Sequence, residues 1–156
     1  LAEDGFHLVL DDQRAAAAPE RVRRIALCTG KVYYDVVGGE DREANEDVAV
    51  VRVEQLYPFP EAALRDELER YGRATEMVWV QEEPANMGAW SYMAPWLREI
   101  AGDRLAVGYV GRPERASPAE GYKKAHDEEQ ARIVREAYGH GTRLPRPHMA
   151  EQARRK

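Results

Sequence analysis

Met77-Val78-Trp79-Val80-Gln81-Glu82-Glu83-Pro84-Ala85-Asn86-Met87-Gly88-Ala89-Trp90 is the stretch on which the fold turns. Its first four residues form an unbroken apolar run without proline, the pattern of a strand covered on both faces. Two carboxylates, a proline and a glycine then punctuate it. From Ala89 onward, Trp90, Ala94, Leu97 and Ala101 recur at helical spacing, so a buried strand passes through a short turn into an amphipathic helix. Pro95 removes one backbone donor inside that helix and is expected to kink it.

The same alternation repeats on either side of this stretch. Ile25 to Cys28 is an apolar run ending in Thr29-Gly30, Val48 to Val53 is broken only by Arg52, and Leu105 to Val110 is the fourth run. Between the second and third runs, Pro60 suits a first helical turn, and Leu64, Leu68 and Tyr71 follow on one face. The last helix carries a capping box: Ser117 caps, Pro118 fills the first position and Glu120 reaches back. Tyr122, His126, Ile133 and Ala137 then supply its inward stripe. The result is an α/β fold, an open, mostly parallel sheet with helices on both faces. We place this domain at residues 25–138. Residues 1–24 read as a polar linker or surface arm with an alanine run at Ala15 to Ala18. Residues 139–156 read as a basic, disordered tail, because 142–156 hold five basic residues against the single acid Glu151.

Composition narrows the function. A hydrophobic fraction of 44% in 156 residues is enough for a core, and a formal charge of −5 lacks the cationic field that nucleic acids require. No apolar run approaches the length that spans a bilayer. The lone cysteine, Cys28, excludes a disulfide framework and sits in an apolar run as an inert thiol. With Leu1 at the front and no leader-like segment, the chain reads as a cytoplasmic piece cut at its front edge.

Candidate chemistry is sparse. Gly30-Lys31 follows a strand, but Ile25 and Val32 stand where a phosphate loop needs a glycine and a Ser or Thr; free amides there, with Lys31, leave a weaker anion contact. The four histidines show no metal spacing, and Gly-x-Ser-x-Gly does not occur. Glu82 and Glu83 lie where open α/β sheets place their sites. As strand neighbours they point to opposite faces, so we expect one held by amides or an arginine, with Arg112 a candidate, and the other solvated. We therefore assign no catalytic and no metal residue.

Gln81 to Trp90 resembles the QEEPxNxGAW signature at the carboxyl end of the 2-oxoglutarate dehydrogenase family, thiamine-dependent enzymes of the tricarboxylic acid cycle. Gly30 to Asp35 is similar to the family's SGKVYYD, Arg52 to Pro60 to its RVEQLYPFP, and Gly111 to Ala119 to its GRPxxASPA. The four words keep order and spacing over about Phe6 to Tyr138. Thr29 and Met87 depart from the usual Ser and Gln. The resemblance implies a transketolase-type C-terminal domain. It also implies that thiamine diphosphate and Mg2+, and the residues that handle the oxoacid, belong to earlier domains, so this segment holds no cofactor. The intact enzyme would decarboxylate 2-oxoglutarate and pass the succinyl group to the lipoyl arm of a dihydrolipoyl succinyltransferase. This segment would pack against upstream domains and within a homodimer through Glu83, Pro84, Asn86, Gly88, Ala89 and Trp90. Trp90 reads equally as an interface anchor or as filler of the domain's own core. The rival is a free-standing regulatory module in which Lys31 and Arg112 hold a nucleotide or CoA.

Overall fold

A computed structural model describes residues 5–116, 122–141 and 144. Five strands, β1 (Val9–Leu10), β2 (Arg24–Cys28), β3 (Val48–Val53), β4 (Glu76–Pro84) and β5 (Ala106–Arg112), form one sheet in the order β1-β3-β2-β4-β5. The pairings β2·β3, β2·β4 and β4·β5 are parallel, and β1 is antiparallel to β3. The helices are α1 (Gln13–Ala16), α2 (Val32–Val37), α3 (Asp41–Ala44), α4 (Glu61–Arg70), α5 (Trp90–Ala101) and α6 (Lys123–Ala137). This is the open, mostly parallel α/β architecture expected of the apolar runs.

Side chains alternate across a strand, so each strand feeds two cores. Along β2, Ile25 and Leu27 face one side with Trp79 of β4 and the Leu64, Leu68, Met93 and Leu97 stripe of α4 and α5. Ala26 and Cys28 face the other, against Val32 and Val36 of α2 and Ile133 and Ala137 of α6. Both faces are dry, which is why the runs are apolar with Arg52 as their one interruption.

The structure changes some expectations where the residues are described. The stretch 1–24 is no loose arm where it is described. β1 pairs with β3, Ala15 and Val22 enter the core, and Asp12 anchors the segment from inside. Its Oδ1 accepts from the Arg14 and Ala15 amides at 3.0 and 3.2 Å, capping α1, and its Oδ2 accepts from the Val50 amide at 2.9 Å. The Arg42 guanidinium meets both oxygens, at 2.8 and 3.1 Å. Burial raises the Asp12 pKa, but the Arg42 hydrogen bonds and the amides of Val50 and Ala15 outweigh it and hold the carboxyl below its usual range.

Tyr122 does not share the inward stripe. It precedes α6 in extended backbone and is 82% exposed, whereas Ile133 and Ala137 are buried. The Ser117 cap lies outside the described residues. α5 runs on through Pro95, whose ring faces solvent. In the stretch expected as a tail, His140 Nε2 lies 3.8 Å from Asp41 Oδ1 and Leu144 packs on the α6-side core; the rest of it lies outside the described residues.

Candidate functional site

The carboxyl ends of β2, β4 and β5 meet the turn from Glu82 to Trp90, and one side chain organises that meeting. Gln81 is buried at the end of β4. Its Oε1 accepts from the Trp79 indole N–H at 2.9 Å and from the Trp90 backbone N–H at 3.0 Å. Its Nε2 donates to the Met87 carbonyl at 2.8 Å and lies 3.2 Å from that of Pro84. A neutral amide with both donor and acceptor faces is the group this crossing needs. It ties strand, turn and the first residue of α5 together.

The turn is shaped around that amide. The Met87 amide bonds the Pro84 carbonyl at 2.8 Å. Gly88 has φ +66°, and a Cβ there would stand 2.9 Å from Gln81 Nε2, so only glycine fits both the backbone and the space. The Ala85 amide bonds the Arg112 carbonyl at 3.0 Å, joining the turn to β5. The Tyr109 hydroxyl reaches the Glu83 and Arg112 carbonyls at 2.7 and 2.9 Å, with its pKa pushed up to about 12, first by burial. The Asn86 amide braces the backbone of Arg115 from both sides, at 3.0 and 3.2 Å.

The expected residues thus take distinct places. Glu83, Asn86 and Gly88 are exposed, Ala89 is half-buried and Pro84 is buried. Trp90 is half-buried, its ring 5.4 Å from that of Tyr109 and beneath the Arg98 guanidinium at 5.5 Å. It belongs in part to the domain's own core and in part to its surface. Of the two carboxylates, Glu82 lies 3.6 Å from Lys31, and Glu83 faces solvent. Lys31 also pairs with Asp35 at 2.9 Å, and Asp35 first, then Glu82, hold its pKa above the ordinary value. Arg112 is buried on the other side of the strand ends and donates to His126 Nδ1 at 3.0 Å.

Lys31, Glu82, Glu83, Gly88 and Ala89 line a cleft of about 450 Å³ together with Leu56 and Trp79; Arg112 is not among its lining residues. The structure therefore does not bring Lys31 and Arg112 to one anion cradle. The cleft's carboxylates oppose an anionic guest, and its lysine is already engaged by two acids. Cys28 is buried, which pushes its thiol up to about 12. Among the described residues, no group of three or more His, Cys, Asp or Glu is placed to hold a metal, and no helix is long and apolar enough to cross a membrane.

Two organising residues escaped the sequence reading. Gln81 carried a signal, since it stands at the head of the Gln81 to Trp90 word, but a polar residue at a strand end does not announce burial. Asp12 carried none, because its partner Arg42 lies thirty positions away.

The sequence profile of a family described as 2-oxoglutarate dehydrogenase C-terminal matches residues 1–138. Among curated proteins, the chain is similar to the 2-oxoglutarate dehydrogenase E1 component of Exiguobacterium sp. strain AT1b, 46% identical over 139 residues, which is 88% of this chain and 15% of that protein. The E1 component of Bacillus mycoides is 45% identical over 141 residues, with the same shares. That of Cupriavidus necator is 46% identical over 139 residues, covering 88% of this chain and 14% of that protein. The chain thus spans about 15% of the length of the curated relatives it matches.

Proposed function

The chain belongs to the 2-oxoglutarate dehydrogenase C-terminal family, and on that premise we propose that it is the closing structural wall of a 2-oxoglutarate dehydrogenase E1 component. In this reading the whole protein decarboxylates 2-oxoglutarate in the cytoplasm and transfers the succinyl group to the lipoyl arm of a dihydrolipoyl succinyltransferase. It works as a homodimer, and the segment described above carries no catalytic residue. A free-standing nucleotide or CoA module finds no support, because the relatives are E1 components and Lys31 and Arg112 do not line one cleft.

Thiamine diphosphate would supply the carbanion-stabilising chemistry of such an enzyme. The residues here do not fit it. The carboxyl-edge cleft presents Glu82 and Glu83, and Lys31 is held by Asp35 and Glu82, so nothing there favours a diphosphate. The domain's contribution is a surface. Glu83, Asn86, Gly88, Ala89 and Trp90 present it, with Pro84 as its buried hinge stone.

The observation that carries this reading is Gln81. By satisfying the polar groups of Trp79, Pro84, Met87 and Trp90 internally, it leaves the turn preformed, with no ordering cost to meet on docking. Oxidation of Met87, measured in the longer E1 protein and in this chain, tests it. We expect protection only in the longer protein. Equal reactivity would remove the turn from any interface.

A further inference from the structure

Where the segment from Val9 to Val22 meets α4, two carboxylates share one partner. The Asp11 and Glu67 side chains, 15% and 12% exposed, face the same nitrogen, Arg70 Nη1. Asp11 Oδ2 is paired with it, and Glu67 Oε2 lies 3.3 Å away. Asp11 is well provided with donors. Its Oδ1 accepts from the Asp12 amide at 2.7 Å and from the Tyr71 hydroxyl at 2.5 Å, and its Oδ2 accepts from Arg70. Glu67 is not. Its Oε2 is buried, and no hydrogen bond reaches it. A buried carboxylate oxygen without a donor, beside a second carboxylate, is unfavourable as an anion. As an acid it is satisfied, because its own O–H then donates to Asp11.

The surrounding charges place the proton on Glu67. From the segment, Asp11 faces it, and Asp12 behind Asp11 is engaged by Arg42. From α4 and its end come Asp66, Arg70 and the Tyr71 hydroxyl, which burial first and then the bond to Asp11 keep protonated. From the turn before β5, Arg104 is engaged on the Leu68 and Tyr71 carbonyls, at 2.9 and 3.3 Å. The cation facing Glu67 is Arg70, which Asp11 shares and which is 44% exposed to solvent. We propose that Asp11 and Glu67 form a proton-operated latch that fastens β1 and α1 to α4, closed by one shared proton and loosened when that proton leaves to solvent. Burial first, then the charge of Asp11, raise the Glu67 carboxyl from 4.5 to about 7. Protonated, Glu67 favours the docked segment. That contribution is full below 4.5 and is lost as the pH rises through about 7, when two anions meet across the joint.

Amide hydrogen exchange of the full chain at pH 6 and pH 8, corrected for the intrinsic pH dependence of exchange, tests the latch. The Ala16 amide bonds the Asp12 carbonyl at 2.8 Å, and the Glu54 and Gln55 amides bond the Leu8 carbonyl at 2.9 and 3.2 Å, so these three report the segment. Amides of β2 and β4 report opening of the whole domain. We expect the three to exchange faster than β2 and β4 at both pH values. Their protection should fall about tenfold from pH 6 to pH 8, the linkage of one proton that titrates at 4.5 when the latch is open and at about 7 when it is closed. Glu67→Gln, whose amide N–H can donate to Asp11 as the acid does, should remove the fall and keep the segment protected at pH 8. Asp11→Asn, which removes the facing charge, should shrink it. Exchange at the rate of β2 and β4 would overturn the proposal, because the segment would then open only with the whole domain. Protection unchanged between pH 6 and pH 8, or a fall undiminished in either variant, would overturn it as well.

Discussion

Two irregular segments of this domain are held by opposite means. The turn from Glu82 to Trp90 is closed by a neutral amide, Gln81, which donates and accepts at once. The segment from Val9 to Val22 is held by carboxylates. Asp12 is fixed by Arg42 and three amides, and Asp11 accepts from the Tyr71 hydroxyl at 2.5 Å and pairs with Arg70. A neutral hub is blind to pH and needs exact placement of a few partners. A charged hub binds harder once buried, and it makes its segment answer to protonation. The difference matters for function, because the neutral hub sits under the proposed contact surface, where a fixed shape is needed.

The largest effect should come from removing the charged hub. Asp12→Ala leaves the half-buried Arg42 without its bidentate partner and the Val50 amide without an acceptor. Breaking a buried pair of this kind costs about 3–5 kcal/mol. Urea unfolding should show that loss, with β1 and α1 opening to hydrogen exchange first. A loss no greater than that of a surface substitution would make Asp12 incidental to the packing of residues 9–22.

Next comes the neutral hub. Gln81→Leu keeps the volume but strands the buried Trp79 indole N–H and the Trp90 amide, at about 1–3 kcal/mol for each orphaned group. Its destabilisation should be the same at pH 6 and pH 8. Gln81→Glu sharpens the contrast, because a carboxylate cannot donate to the Met87 carbonyl and a carboxylic acid can. That variant should become more stable as the pH falls through its own titration, giving the turn the pH response it now lacks.

The smallest effect is a slope. Glu67 of α4 has its pKa raised from 4.5 to about 7, first by burial and then by the charge of Asp11. A raised carboxyl contributes stability in full below pH 4.5 and loses it as the pH rises through about 7. Asp12 works in the other sense: its lowered pKa contributes above the ordinary value of 3.8 and is lost on acidification through its folded value. Stability measured from pH 5 to pH 8 should therefore decline gently, and Glu67→Gln should flatten the decline. An unchanged slope in that variant would place the titration elsewhere.

The same contrast explains what was legible. The β2 to β5 strands could be read because both faces of the sheet are covered, so Ile25, Leu27, Ala26 and Cys28 are all apolar regardless of which core they enter. α4 and α5 showed their inward faces through Leu64, Leu68, Ala94 and Leu97 for the same reason. β1 was invisible: two residues carry no period, and its order comes from pairing with β3 and from Asp12, a residue whose type argues for exposure. At the site, the Pro84 to Trp90 turn and its Gly88 stood out in the sequence as a candidate contact surface. The side chain that organises it was not, since hydrogen bonding across a turn leaves no trace in spacing. Lys31 and Arg112 looked alike as cations near strand ends. Only the structure separates an exposed lysine between two acids from a buried arginine on His126.

A domain that is a wall and not a site should leave thiamine diphosphate and magnesium unbound, and titration with the two decides it. The measurement is calorimetric, made on this chain under conditions where its urea transition shows it folded, and on the longer E1 protein alongside. One cofactor should bind per chain in the longer protein, with no saturable binding here. Saturable binding of one thiamine diphosphate by these 156 residues would contradict it.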